Sequence, residues 1–335
     1  MAATVAVVWF GYSQFATRSF DWQLALHTLE QLRWGWLAMS LVPIAGTYYG
    51  RALRWAVFLK PLKDRPSMAN LFSATVIGFA AITVFGRPGE FVRPYLIAVK
   101  ERVPVPSQMA AWILERMFDL LMALLFFAFA LTRVGSARLH SGSKLVWVVA
   151  AGGRIVGVAA LTVLILIFSM RHFAEPLRRW ILSTLRFLPE RQFLKIEKLI
   201  TALVQGVEST RNDGALALVL IYSVAEWILI ALCYWCLALS FAGVIHLTFV
   251  DVIVLMGFVS FGSAVQIPGV GGGIQVVAVL VLTELFGVRL EIAGAFAVLI
   301  WFFTFVVVVP AGAALALKEG LDWHSLRQIG REASK

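Results

Sequence analysis

Charged residues are concentrated in a stretch between Gly86 and Tyr95 that is rich in glycine and proline, within a sequence that is otherwise strongly apolar. Arg87 and Arg93 each carry a planar guanidinium fork, which suits phosphate because it donates two parallel hydrogen bonds. Glu90 lies one helical turn from Arg93 and can neutralise it when no ligand is bound. We therefore predict that this stretch binds a phosphate-bearing group; the alternative is that the arginines snorkel to a membrane interface.

A second charged cluster runs from Glu115 to Asp119, near the start of an apolar segment. Glu115 and Asp119 are four residues apart and share one helix face, and Arg116 is three residues from Asp119. Charges within a membrane are costly and usually face the interior of the helix bundle. Two interpretations stay open: a structural ion-pair lock with Arg93, and a site for a cationic headgroup.

A run of glycines near residue 270 is a third candidate site. The backbone N–H groups of Gly271, Gly272 and Gly273 would lie at the start of a half-helix, where anions are attracted, and glycine lets a substrate approach the backbone. The alternative is close helix packing, which also uses glycine in membranes. Gln275 could add a neutral hydrogen bond, and Glu226 is a lone acid in an apolar segment that we include as a cavity candidate.

The composition requires a membrane environment for these clusters. Of the 335 residues, 60% are hydrophobic and 14% are charged, whereas soluble proteins are nearer half apolar and a quarter charged. The net charge is +10, and the basic residues lie between the apolar blocks. In that position they orient helices and meet lipid headgroups, so we expect no binding of nucleic acid. We find no phosphate-binding loop, dinucleotide fingerprint, catalytic triad or metal-ligand spacing, so we expect no enzyme activity, cofactor or metal.

The apolar segments predict an all-α, polytopic helix bundle. We expect a short first span at Ala2–Ala16 and further spans at Trp34–Leu59, Ser107–Leu131, Leu145–Met170, Gly214–Ala242 and Ile292–Leu317. Arg51 and Arg54, near the inner end of a span, are interpreted as snorkelling anchors. Cys233 and Cys236 are expected to pack in the core.

Two interrupted segments, Met68–Val103 and Thr248–Gly287, are predicted to be re-entrant hairpins of opposite orientation. Basic loops are retained in the cytoplasm, and the loop Lys60–Pro66 and the segment Arg171–Asn212 are both cytoplasmic only if the first hairpin returns to its own side. The last limb of the second segment spans about 20 Å, which is short for a crossing and favours a hairpin over two full spans. This hairpin would enter from the outside. Such a pair resembles an inverted-repeat transporter; the alternative is two kinked helices.

The chain is therefore expected to be one transmembrane domain in the cytoplasmic membrane, with both termini in the cytoplasm. Its parts are an N-terminal half (1–170), a cytoplasmic amphipathic segment (171–212), a C-terminal half (213–317) and a tail (318–335). Apolar residues alternate with cations in the segment 171–212, which predicts amphipathic helices bound to anionic lipids of the inner leaflet.

Four stretches together resemble the flippase-like integral membrane family typified by the transmembrane region of bacterial lysylphosphatidylglycerol synthase. They are Tyr49–Trp55, Gly86–Tyr95, Glu115–Leu121 and Ile267–Gly273, in matching order and spacing. The resemblance implies a lipid-translocating fold with paired re-entrant helices. The family commonly has a glutamate shortly after the second glycine motif, where this chain has Gln275, so a proton- or amine-binding role is not carried over. A short tail follows Leu317, so lipid movement rather than aminoacyl transfer is expected.

The predicted function is the movement of an anionic or zwitterionic lipid, which could be aminoacylated or glycosylated, through a polar cavity between the hairpins. The predicted headgroup site comprises Arg87, Glu90, Arg93, Glu115, Arg116, Asp119, Glu226, Gly271, Gly272, Gly273 and Gln275. Two alternatives stay open: a membrane-embedded transferase that acts on a lipid-linked donor, and a non-catalytic partner of a lipid-modifying enzyme. A homo-oligomer is also compatible with the sequence.

Overall fold

The structure, a computed structural model, describes residues 20–133, 145–185, 190–207, 212–262, 266–267 and 271–321. Within these ranges the fold is all-helical apart from one pair of two-residue strands. The predicted all-α class is confirmed. The predicted first span, Ala2–Ala16, and the chain beyond residue 321 lie outside the described residues.

The elements are named in chain order. The helices are α1 (Trp22–Glu30), α2 (Trp34–Met39), α3 (Leu41–Leu59), α4 (Met68–Phe85), α5 (Val92–Glu101), α6 (Val105–Arg133), α7 (Leu145–Thr184), α8 (Glu190–Val207), α9 (Asp213–Ser240), α10 (Phe249–Gly262), α11 (Gly273–Glu284), α12 (Leu290–Trp301) and α13 (Val308–Lys318). A 3-10 turn (Arg87–Phe91) joins α4 to α5, and strands β1 (Gln266–Ile267) and β2 (Gly271–Gly272) pair antiparallel between α10 and α11.

Three helical stretches in the described part of the chain are long and apolar enough to cross a membrane: Met68–Phe85, Asp213–Ser240 and Leu290–Lys318. The last two coincide with predicted spans. The third stretch is α12 and α13 joined by a π-helical segment, Phe302–Val306. Widening of the helix there leaves carbonyl groups for other donors: the Tyr48 hydroxyl donates to the Thr304 carbonyl at 3.3 Å and the Thr83 hydroxyl to the Phe305 carbonyl at 3.0 Å.

Two helices depart from the predicted segmentation. The predicted span Trp34–Leu59 is divided at Ser40 into α2 and α3, because Pro43 has no N–H to bond the carbonyl of Met39. α7 has 40 residues, which is about 60 Å and twice the hydrocarbon thickness. It therefore extends beyond Met170 into the segment predicted to form surface helices, and α8 packs against α6 and α7. Binding of that segment to anionic lipid stays a prediction.

α4 and α5 form an antiparallel hairpin rather than one kinked helix. Ser67 caps the start of α4, and Gly86, with a φ of 70°, ends it. A Cβ on Gly78 would lie 2.5 Å from the Cβ of Arg93, and one on Gly89 would lie 2.4 Å from the backbone of Ala81. The two glycines thus allow the limbs to touch along their length.

The open end of this hairpin, which we call the hairpin base, is held by polar contacts. Glu101 lies 2.7 Å from the Lys63 ammonium and accepts hydrogen bonds from the Asn70 side chain at 2.7 Å and the Ser67 N–H at 3.2 Å. Burial opposes ionisation of Glu101, but these donors outweigh it and lower the pKa of the carboxyl below its usual value. Since Lys63 and Glu101 are in contact, the two ends of the hairpin lie side by side.

α10 and α11 pack as a second hairpin. A Cβ on Gly262, the last residue of α10, would lie 2.5 Å from the carbonyl oxygen of Gly273, the first residue of α11. α11 has 12 residues, or about 18 Å, which is shorter than the hydrocarbon core. That either hairpin is re-entrant stays a prediction.

The two hairpins are embedded in a continuous core. α3 packs along α9, and α4 packs along α13, where a Cβ on Gly312 would lie 2.4 Å from the Cβ of Ala80. Small residues at such seams let helix backbones approach closely in membranes. Cys233 and Cys236 are free thiols buried in this core, as predicted.

Candidate functional site

Arg54 of α3 lies at the centre of a buried group of charged side chains. Its side chain is fully buried. One terminal nitrogen donates to Glu115 at 2.6 Å and lies 3.3 Å from Glu226. The other donates to Asp119 at 2.8 Å and to the Ser223 hydroxyl at 2.9 Å. A single guanidinium therefore joins α3 to both α6 and α9.

Arg93 connects the first hairpin to the same group. Its two terminal nitrogens donate to the two oxygens of Glu115 at 2.9 and 3.0 Å. The guanidinium lies 4.2 Å from the centre of the Trp55 ring, and the Trp55 N–H donates to Gln108 at 2.9 Å. Arg93 is 3% exposed. The lock between the hairpin and the Glu115 cluster, one of two predicted interpretations, is the arrangement found.

Arg51 and Arg116 lie at the edge of the group, with side chains 13% and 39% exposed. Arg51 pairs with Glu226, and its other terminal nitrogen lies 3.9 Å from Asp119 without a hydrogen bond. Arg116 pairs with Asp119 at 3.0 Å. We call Arg51, Arg54, Arg93, Glu115, Arg116, Asp119 and Glu226 the ion network.

A cavity of about 400 Å³ adjoins the ion network. Its charged lining consists of Arg51, Glu90, Arg116 and Asp119, and much of the remaining wall is apolar or aromatic: Ile44, Phe79, Ile82, Leu120, Ala123, Trp227, Ile230, Met256, Val259, Phe261, Ile274 and Phe305. Two of these lining residues, Leu120 and Phe261, are exposed. Charged and apolar side chains therefore line the same cavity, and part of its lining is exposed.

The structure brings six predicted site residues together: Glu90, Arg116 and Asp119 line the cavity, and Arg93, Glu115 and Glu226 are buried in the network. The predicted pairing of Glu90 with Arg93 is not formed, because Arg93 turns toward Glu115 on the neighbouring helix. Arg87 is exposed on the 3-10 turn and does not line the cavity.

The predicted glycine site borders the cavity through Ile274, which follows Gly273. The N–H of Gly272 is already engaged, because it donates to the side-chain oxygen of Gln275 at 2.6 Å. Gln275 thus caps the start of α11 instead of facing a ligand with this oxygen. Gly271 lies in β2, and its role in anion binding stays a prediction.

The interpretation of Arg51 and Arg54 as snorkelling anchors is wrong. Arg54 has no contact with solvent, and Arg51 is nearly buried, because both are held by carboxylates of α6 and α9. The sequence offers one signal that could have indicated this: Glu226, an isolated intramembrane acid, requires a cationic partner.

The ion network retains donors that no protein group satisfies. The Nη1 atom of Arg51 and the Nε atoms of Arg54, Arg93 and Arg116 are buried and have no hydrogen-bond partner in the described structure. Buried donors normally have partners. Those of Arg51 and Arg116 belong to side chains that line the cavity, although the two atoms themselves are buried.

Comparison with protein families identifies the group to which the chain belongs. The family model described as the lysylphosphatidylglycerol synthase transmembrane region matches residues 1–312. The chain belongs to this family. The predicted resemblance is therefore confirmed, and the protein is a membrane protein of a lipid-related family. No curated protein sequence matches the chain.

Proposed function

We propose that this protein carries a phospholipid headgroup across the membrane through the cavity beside the ion network. The observation that supports it best is that charged and apolar side chains line one cavity together. A lipid headgroup needs charged partners when it leaves water, because desolvation of a phosphate is otherwise heavily penalised. The acyl chains need only the apolar wall and the surrounding bilayer.

Arg51 and Arg116 are the proposed phosphate contacts. Both line the cavity, and both carry a buried nitrogen without a hydrogen-bond partner in the described structure. Arg93, the phosphate contact predicted from sequence, is held by both oxygens of Glu115. A role for Arg93 would require a phosphate to replace that carboxylate, as in a transport step that separates the hairpin from α6.

The two hairpins are the proposed moving parts. The first contributes Glu90 to the cavity and the second contributes Phe261 and Ile274, so displacement of either would change access. The two ends of the first hairpin meet where Lys63 contacts Glu101, which supports a re-entrant arrangement. Rocking of one half of the protein against the other would then alternate access.

A leaflet-exchange assay tests the function. The purified protein is placed in vesicles with phospholipid labelled on an acyl chain by nitrobenzoxadiazole, and dithionite reduces the label in the outer leaflet alone. We expect faster exchange than in protein-free vesicles. Arg116→Gln should slow exchange by roughly 10- to 150-fold, the value of a charged hydrogen bond of about 1.5–3 kcal/mol.

Arg33→Gln is the matched control, since Arg33 is exposed at the start of α2 and lines no part of the cavity. It should exchange lipid at the wild-type rate. If vesicles with the wild-type protein exchanged lipid no faster than protein-free vesicles, the proposal would be contradicted. That result would favour a transferase or a partner of a lipid-modifying enzyme. Equal exchange rates for Arg116→Gln and Arg33→Gln would contradict the assignment of Arg116 as a phosphate contact.

We also propose that the protein resides in the cytoplasmic membrane with the 171–212 segment and both termini in the cytoplasm. The support is the density of basic residues in that segment. Ser183 is exposed near the end of α7, so Ser183→Cys reports its side. An impermeant maleimide should label it in broken cells and leave it unmodified in intact cells. Labelling in intact cells would indicate the opposite orientation.

A further inference from the structure

The carboxylate of Glu90 stands apart from the other charges that line the cavity. Arg51, Arg116 and Asp119 all belong to ion pairs of the network. Glu90 is half-buried on the 3-10 turn at the tip of the first hairpin and has neither a hydrogen bond nor an ion pair within the described structure. It acts electrostatically on Arg116, another residue that lines the cavity. A carboxylate in this position is available to pair with a cationic group of a ligand.

The charges around the cavity balance when Glu90 is included. The ion network contains four arginines and three carboxylates, and Glu90 supplies a fourth negative charge. A headgroup of net charge −1 would leave one uncompensated charge in a site that is largely withdrawn from water, which is strongly unfavourable. A headgroup with equal positive and negative charge keeps the balance.

The two kinds of charge in the polar lining match two groups on one ligand. Arg51 and Arg116 offer guanidinium donors to a phosphate, and Glu90 offers an acceptor to an ammonium group. Asp119 is a poorer ammonium partner because it already accepts from Arg54 and pairs with Arg116.

We propose that Glu90 selects zwitterionic phospholipids, those whose headgroup joins a phosphate to a primary ammonium group, over anionic phospholipids that lack an amine. The inference rests on the proposed function for its site. It adds the class of lipid and the residue that distinguishes it.

Binding and transport are measured separately, so that each claim can fail alone. Binding is followed by the rise in the thermal midpoint of the detergent-solubilised protein on titration with dihexanoyl phosphatidylethanolamine or dihexanoyl phosphatidylglycerol, since a ligand stabilises the state that binds it. Transport is followed by leaflet exchange of the same two headgroups on acyl-labelled lipids.

We expect the wild-type protein to bind and exchange the ethanolamine lipid at least about tenfold better than the glycerol lipid. Glu90→Gln should remove that preference, because the variant lacks the ammonium partner and its remaining charge of +1 suits the anionic glycerol headgroup. It removes no hydrogen bond or ion pair of the described structure, so the lipid-free variant should remain folded and give a measurable thermal midpoint. Glu30→Gln, at an exposed position on α1, is the matched control and should retain the preference.

Equal binding of the two lipids to the wild-type protein would overturn the inference, as would a Glu90→Gln variant that keeps the preference. Either result accompanied by exchange above protein-free vesicles would leave the proposed function standing. Selective binding that depends on Glu90 without any exchange would support the inference and contradict the function.

Discussion

Neutralising Glu115 should destabilise the protein more than the loss of any single surface charge. Glu115 is fully buried and accepts three hydrogen bonds, one from Arg54 and two from Arg93. Glu115→Gln keeps the size of the side chain but removes its charge. Four arginines would then face Asp119 and Glu226, and even with Glu90 included one positive charge would be uncompensated.

The expected cost follows from that excess. Removing one partner of a buried ion pair costs about 3–5 kcal/mol, because the remaining charge stays buried without compensation. The folded-to-unfolded ratio should therefore fall by roughly 100- to 4,000-fold. A glutamine also presents N–H groups to arginines that are themselves donors, so it cannot accept all three hydrogen bonds.

The measurement is the free energy of unfolding in mixed micelles, from a titration of the purified protein with sodium dodecyl sulfate followed by circular dichroism. Glu30→Gln makes the same chemical change at an exposed residue and should lie within about 0.5 kcal/mol of wild type. Adding Arg93→Met to Glu115→Gln should recover part of the loss, with a coupling above about 0.5 kcal/mol. A Glu115→Gln variant as stable as Glu30→Gln would refute the reasoning.

Three further outcomes follow from the structure and use the same titration. Gly78→Ala should lower the free energy of unfolding by about 1–3 kcal/mol, because the new methyl group meets Arg93 of α5. Gly50→Ala is the control and should have no such effect, since the space around Gly50 is open. Equal effects of the two changes would contradict the hairpin packing. Glu101, with its lowered pKa, stabilises the fold when ionised, so wild type should lose stability as the pH falls below about 4.5. Glu101→Gln should be less stable at neutral pH and lack that acid-dependent loss, and a wild-type acid profile in the variant would exclude the assignment. Glu319→Gln breaks a part-exposed pair with Lys100 and should cost less than about 1 kcal/mol; a larger loss would make this pair a principal support of α13.

The sequence was sufficient to predict features that depend on local chemistry. The first hairpin turns where glycine and proline were found, because Gly86 adopts a positive φ and Gly89 has no side chain to block Ala81. The break between α10 and α11 follows from the same kind of signal. Apolar length was enough to predict α9 and the stretch from α12 to α13.

Partners distant in sequence could not be predicted. Arg54 binds residues 61, 65 and 169 positions away, so nothing near it in the sequence distinguishes a network centre from an interfacial anchor. The same limit applies to Arg93, whose partner Glu115 was one of two candidates until the packing of α5 on α6 was known. Local spacing favoured Glu90, which lies closer in sequence but forms no ion pair with Arg93 in the described structure.

The π-helical segment Phe302–Val306 has a consequence for changes in chain length. A π turn accommodates one residue more than the α-helix around it. Deleting one residue within it would restore regular α-helix and leave α13 in the same rotational register against α4. A deletion elsewhere in α12 or α13 would turn every later side chain by about 100° and bring larger residues than Gly312 against Ala80. Variants or relatives one residue shorter should therefore carry the gap at this segment, and would lose the carbonyl contacts of Tyr48 and Thr83.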